Sequence, residues 1–291
     1  MKTLFVPTDF SAAAENAAQY ALAIAQATRA NVKLFNVFMV AAATPMAAQV
    51  AWPLYNYEAV VESTNAELNK LANKLTNLDD SRAVEVLTSC ESAAGNVAEM
   101  INQKAVDERA CMVVMGTSGS GDVQHFFLGS TSNNLISKIA VPLLLVPPKY
   151  QFKPIKRIAI ATDLSDSEIE VIQSVASLAK YFNAELVLFH VTDDKYEPEY
   201  AKKIDVYLRE VTNRINYSNV FYRHVKSTDV NHGVEWIVEH GLVDMLAIIH
   251  QEHNFFDKLF SRSHTHHAAK HIDIPLLVYP CASKRFIAPA F

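Results

Sequence analysis

Residues 4–11, Leu-Phe-Val-Pro-Thr-Asp-Phe-Ser, return at 158–165 as Ile-Ala-Ile-Ala-Thr-Asp-Leu-Ser, an offset of 154. The same offset holds without insertion to residues 30–37 (Ala-Asn-Val-Lys-Leu-Phe-Asn-Val) and 184–191 (Ala-Glu-Leu-Val-Leu-Phe-His-Val). Near the far end of each copy, Ile-Ala-Val-Pro-Leu-Leu-Leu-Val-Pro at 139–147 matches Ile-Asp-Ile-Pro-Leu-Leu-Val-Tyr-Pro at 272–280, now at an offset of 133. A chain with this repeat is expected to fold as two copies of one unit. The divisions expected are a first domain 1–149, a second domain 154–281 and a C-terminal tail 282–291. The second copy is 21 residues shorter between the anchors. Most of the loss falls after the second strand, where copy one carries a long apolar stretch, 39–57, suited to serving a site or an interface.

Each copy alternates strand and helix. Residues 4–6 form an apolar run, and Asp9 or Ser11 can cap the Ala-rich helix that follows, through residue 26. Residues 31–38 read as a second buried strand, which closes a right-handed βαβ unit. Helices over 57–78 and 200–214 are expected next, then strands at 83–87 and 220–225, helices at 94–107 and 233–240, and a buried strand at 111–115. The fold class is therefore α/β: two tandem copies of a doubly wound, mainly parallel five-stranded sheet with helices on both faces. Ligands of such sheets sit beyond the strand C-termini, where the strand order reverses. Asp9, Val37 and Gly116 each end or follow a predicted strand, so they should meet at one edge.

Four of the seven glycines (Gly116, Gly119, Gly121, Gly129) fall within residues 115–132, between an apolar strand and a hydroxyl-rich helix start at Ser130 or Thr131. Glycines let a backbone approach an anion, and a helix N-terminus offers free N–H groups. Two familiar phosphate loops fail here. After Gly116-x-x-x-x-Gly121 come Asp122 and Val123, not the Lys and Ser/Thr of a P-loop. Gly119-Ser-Gly121 lacks the third glycine of a dinucleotide fingerprint and lies past residue 110, far from the first strand–helix turn.

What fits is Gly116-x-x-Gly119, nine residues, then Gly129-Ser130. With Pro7-Thr-Asp-Phe-Ser11 and the closing Val-Pro-Leu-Leu-Leu-Val, this resembles the ATP-binding universal stress proteins, over nearly the whole chain. The resemblance implies that Pro7, Thr8 and Asp9 contact adenine and ribose and that Val37 lines the adenine pocket. It implies that Met115, Gly116, Gly119, Gly129, Ser130, Thr131 and Ser132 hold the phosphates. The ligand implied is ATP, with AMP as the variant and Mg²⁺ as a companion ion. The copies would pack as an intrachain pseudo-dimer, and a homodimer is compatible with that. The chemistry agrees with the residues: a carboxylate suits a ribose diol, apolar strand ends a purine, and backbone N–H groups phosphates.

Copy two departs from this pattern. Asp163 remains, but Pro7 becomes Ala161, Gly116-x-x-Gly119 becomes His250-x-x-His253, and Gly129-Ser130 becomes Arg262-Ser263. Without glycine that loop cannot wrap a triphosphate in the same way, so copy two is expected to be a degenerate packing or regulatory partner. Ten of the eleven histidines lie after residue 189. His264, His267 and His271 share one helix face and are candidate zinc ligands, against the plainer reading of a solvated polar face.

A net charge of -5 argues against non-specific nucleic-acid binding. No apolar run reaches the ~18 residues of a membrane helix. The start has too few apolar residues for a signal sequence, and three scattered cysteines outline no disulfide framework. A cytoplasmic setting is expected. The leading expectation is a non-catalytic, ATP-binding stress-response regulator. The competing classes are a slow ATPase or phosphoryl-transfer enzyme, and a nucleotide-independent interaction protein with a histidine-rich metal or pH-responsive second domain. No lysine or arginine lies in the glycine loop to steady a transferring phosphate, and no catalytic residue is assigned.

Overall fold

In each half of the molecule, apolar strands alternate with amphipathic helices. The structure is a computed structural model that describes residues 2–39, 55–78, 85–117, 130–192, 198–227, 229–249 and 273–280. The first half runs β1 (Thr3–Pro7), α1 (Ala12–Thr28), β2 (Asn31–Phe38), α2 (Tyr55–Leu78), β3 (Thr88–Ala94), α3 (Val97–Asp107), β4 (Met112–Gly116), α4 (Ser130–Lys138) and β5 (Leu143–Val146). The second half supplies β6 (Arg157–Ala161), α5 (Ile169–Phe182, entered through a 3₁₀ turn at Asp166–Glu168), β7 (Glu185–Thr192), α6 (Pro198–Arg214), β8 (Val220–Lys226), α7 (Val230–His240), β9 (Met245–Ile249) and β10 (Leu276–Tyr279).

Strand order is β3-β2-β1-β4-β5-β10-β9-β6-β7-β8. Each half is a parallel five-stranded sheet, and the two are joined edge to edge where β5 and β10 run antiparallel, with Leu144 opposite Leu277. The expected pair of five-stranded sheets thus forms one ten-stranded sheet. Sealing β5 against β10 removes two open edges and buries both strands fully.

The strand alternation builds a core on each face. Leu4 and Val6 point to one side, against α1, α2, α5 and α6, while Phe5 points to the other, with α3, α4 and α7. Both cores draw on both halves, so the joint is part of the interior. It is reinforced by Tyr20, Tyr150, Phe152 and Phe182, whose rings follow one another at 5.1–6.4 Å. Asn16 Nδ2 donates to the carbonyls of Pro147 and Tyr150, pinning the connection to α1.

One predicted strand is displaced. The apolar run at 83–87 reads as a strand, but β3 is the polar segment that follows, Thr88–Ala94. It lies at the sheet edge and is only half-buried, so it needs no apolar face. Val86 instead tucks into the core, and the Leu87 carbonyl accepts from Val32 N at 3.0 Å. Within the apolar stretch 39–57, residues 40–54 lie outside the described residues, and Tyr57 is about half exposed, its ring 5.8 Å from Phe38.

Candidate functional site

β1 and β4 are neighbours, but the chain leaves them in opposite directions, toward β2 and toward β5. This is the switch in strand order, and a cleft of about 200 Å³ opens there beyond the strand ends. Its floor is the end of β1. Thr8 N donates to the Phe35 carbonyl at 2.9 Å, and buried Asn36 donates from Nδ2 to the Thr8 carbonyl at 2.7 Å. The Thr8 hydroxyl accepts from Phe10 N at 3.0 Å, which supports Phe10 in a left-handed conformation at φ 63°. That conformation costs a non-glycine residue about 1 kcal/mol or more. It turns the chain sharply from strand to helix and leaves Asp9 exposed at the rim.

Asp9 and Ser11 divide the work that either could do. Ser11 is the N-cap of α1, accepting from Ala14 N at 3.2 Å, while Asp9 Oδ1 accepts from Ser11 N at 3.0 Å. Only one carboxylate oxygen is used in that turn. Asp9 is the one charged side chain among the described lining residues.

Gly116 is required by packing. A Cβ on it would lie 2.4 Å from the Ala13 carbonyl oxygen, so the first turn of α1 crosses directly over the end of β4. This close approach brings the N-terminus of α1 to the cleft, where Ser11, Ala13 and Ala14 line it. α4 contributes Thr131 and Ser132 from its first turn, and α3 contributes Val97 and Ile101. The first turns of three helices thus border one cleft, a favourable setting for negative charge.

Of the residues expected from sequence, Pro7, Thr8, Asp9, Val37, Met115, Gly116, Thr131 and Ser132 line the cleft together. Ser130 begins α4 but is exposed and not part of the lining. Gly119 and Gly129 lie outside the described residues, as do His250, His253 and the candidate metal ligands His264, His267 and His271. Sequence reading missed Ser11, Ala14, Asn36 and Thr117 as lining residues. Asn36 had a signal: a polar amide in an otherwise apolar strand must find a buried partner. Thr117 had less, since its hydroxyl is buried beside the Val146 carbonyl. Cys111 is a core residue, its thiol pushed up to about 11 by burial.

A doubly wound sheet with a cleft at its switch point defines the class. Within it, the model of the universal stress protein family matches residues 1–147 and again 154–280. The chain belongs to that family, in a tandem arrangement. It is 28% identical over 145 residues to universal stress protein MJ0531 of Methanocaldococcus jannaschii, covering 50% of this chain and 81% of that protein. It is 46% identical over 52 residues to a universal stress protein of Thermus aquaticus, covering 18% of this chain and 38% of the relative's length. A universal stress protein of Archaeoglobus fulgidus has a similar structure, with a TM-score of 0.72 at 14% identity, over 96% of this chain and 98% of that one. No described helix is long and apolar enough to cross a membrane.

Proposed function

We propose that the first domain binds an adenine nucleotide, ATP with Mg²⁺ in the leading form, and acts as a nucleotide-responsive regulator in the stress response. The observation that carries this reading is the convergence at one cleft of an apolar wall, a strand-end carboxylate and three helix N-termini. Val37, Met115 and Ile101 supply a surface for a purine, Asp9 an acceptor for ribose hydroxyls, and the first turns of α1 and α4 donors for phosphate. Gly119, Gly129 and Ser130 extend the phosphate end in this proposal.

The test is calorimetric titration of ATP·Mg into the whole chain, beside Asp9→Ala. Gly116→Ala is unsuitable, because its methyl would strike the α1 backbone. One site per chain is expected, weakened by about ten- to a hundredfold in Asp9→Ala, the scale of a charged hydrogen bond. Absence of binding would move the chain to the interaction-protein class. Phosphate release measured in the same samples separates binding from slow hydrolysis.

A further inference from the structure

The two halves share one fold, so residues of one have counterparts in the other. β3 starts at Thr88 and β8 at Val220; α3 starts at Val97 and α7 at Val230. Hydrogen bonds confirm the pairing. Val32 N donates to the Leu87 carbonyl at 3.0 Å, and Leu186 N to the Asn219 carbonyl at 2.8 Å. Arg109 and Leu242, just past the two helices, share a left-handed backbone, with φ of 51° and 52°.

Matched this way, polar surface of the first half becomes apolar surface in the second. Exposed Ser89 on β3 corresponds to Phe221 on β8, and exposed Gln103 on α3 to Trp236 on α7. Phe221 is 49% exposed and Trp236 46%. On the other sheet face, the buried series Leu68, Leu71, Leu75 has the spacing of Ile204, Tyr207, Val211, which matches exposed Lys70 to exposed Val206. The exchange runs the other way at Leu87, whose counterpart is Asn219. Single exposed apolar residues are ordinary. These, however, gather around one strand. In the first half Glu91 of β3 pairs with Lys104 of α3, so strand and helix meet at the counterparts of Arg223 and Ile237. Phe221 shares a strand face with Arg223. Trp236 adjoins Ile237, its ring stacked on His240 at 5.3 Å.

β3 and β8 are the outermost strands of the sheet. β3 reads Thr-Ser-Cys-Glu-Ser-Ala-Ala, poor in strand formers, whereas β8 reads Val-Phe-Tyr-Arg-His-Val-Lys. Asn219 O and Ser227 N both bond to β7, at 2.8 Å each. Odd-numbered residues of β8 thus turn their backbone groups to β7, and those of Val220, Tyr222 and His224 point outward. Such an edge is a template for another strand.

Charge selects what can pair there. Arg223 and Lys226 guard the edge, and a two-fold centred on Arg223 would set like charges opposite. Centred on Tyr222, the two-fold makes Tyr222 meet its own copy. It sets each Arg223 against the Phe221 of the second copy, a cation–π contact made twice, and Lys226 against Ser218. The strand is complementary to itself in that register. The chain already uses this kind of joint, since β5 and β10 are sealed by antiparallel edge pairing. We propose that β8 is a docking edge for a second copy of this chain, the two β8 strands pairing antiparallel about Tyr222 with Phe221 and Trp236 covered alongside. This inference does not depend on what the first cleft binds.

Sedimentation of the whole chain over a concentration series should show a dimer that dissociates on dilution. Phe221→Ser/Trp236→Gln, which installs the first half's residues, should raise the dissociation constant about tenfold or more. Both positions are exposed, so the variant should keep the far-ultraviolet circular dichroism of the wild type. Oxidation reads the register: an equal mixture of Phe221→Cys and Arg223→Cys chains should form a disulfide-linked pair in greater yield than either alone. A wild type that stays monomeric overturns the proposal and leaves the edge to a partner of another kind. A dimer that the double variant leaves unchanged overturns it too, as does crosslinking no greater in the mixture.

Discussion

Glu168 carries a pH dependence whose sign is fixed by its surroundings. Burial pushes its carboxyl from an ordinary 4.5 up to about 7; the Thr162 hydrogen bond opposes the rise and the Asp163 charge adds to it. Between those values the folded chain holds a proton that the unfolded chain has released. Stability therefore falls as pH rises through this window, by up to about 3 kcal/mol at its upper end. Asp163 and Tyr207 face the Glu168 carboxyl, while His224, Lys203 and Asp163 act on His190. His190 acts in the opposite sense. Burial lowers its pKa, so the unfolded chain takes up a proton that the folded one does not, and this part of stability is gained as pH rises. Denaturant unfolding of the wild type and Glu168→Gln across a pH series separates the two. The difference between them should decline with rising pH and level off near pH 7. Parallel curves would remove Glu168 as the source.

At the level of elements, the docking of α1 on β4 sets the shape of the first cleft. Gly116→Ala should destabilise nucleotide-free protein by about 1–3 kcal/mol, since neither backbone can yield cheaply. Ser11→Ala should cost about 1 kcal/mol by uncapping α1. Denaturant melts check both, and an unchanged midpoint for Gly116→Ala would refute the close approach. Most elements were legible in the sequence because their strands are buried on both faces and read as unbroken apolar runs, as with β1, β4 and β9. β3 was misread because an edge strand is half solvated and carries no such run. The cleft was legible where residues end strands, as Thr8, Asp9 and Val37 do. The packing of α1 over Gly116 was not legible, because a glycine before a loop does not reveal which helix crosses it. The burial of Glu168 was invisible, since Ser-x-x-Glu before a helix is an ordinary capping pattern. Tyr207, its partner from α6, is distant in sequence.

Across the whole molecule, the antiparallel join of β5 and β10 turns the two parallel halves in opposite directions. The strand C-termini of one half therefore face away from those of the other, so the first cleft and the turn that carries Glu168 lie at opposite edges of one sheet. The repeat allows the Glu168–Tyr207 pair of the second half to be moved to the first. Ala14 and Leu71 stand at the corresponding places, both less than a tenth exposed. Ala14→Glu/Leu71→Tyr should bury the same carboxyl between α1 and α2, with Thr8 and Asp9 N supplying the remaining donors. The far-ultraviolet circular dichroism of the fold should be kept. The variant's stability should also acquire a second decline with rising pH below 7, doubling that assigned to Glu168. If the folded variant shows no such second decline, the buried carboxyl–tyrosine pair does not transfer between the halves.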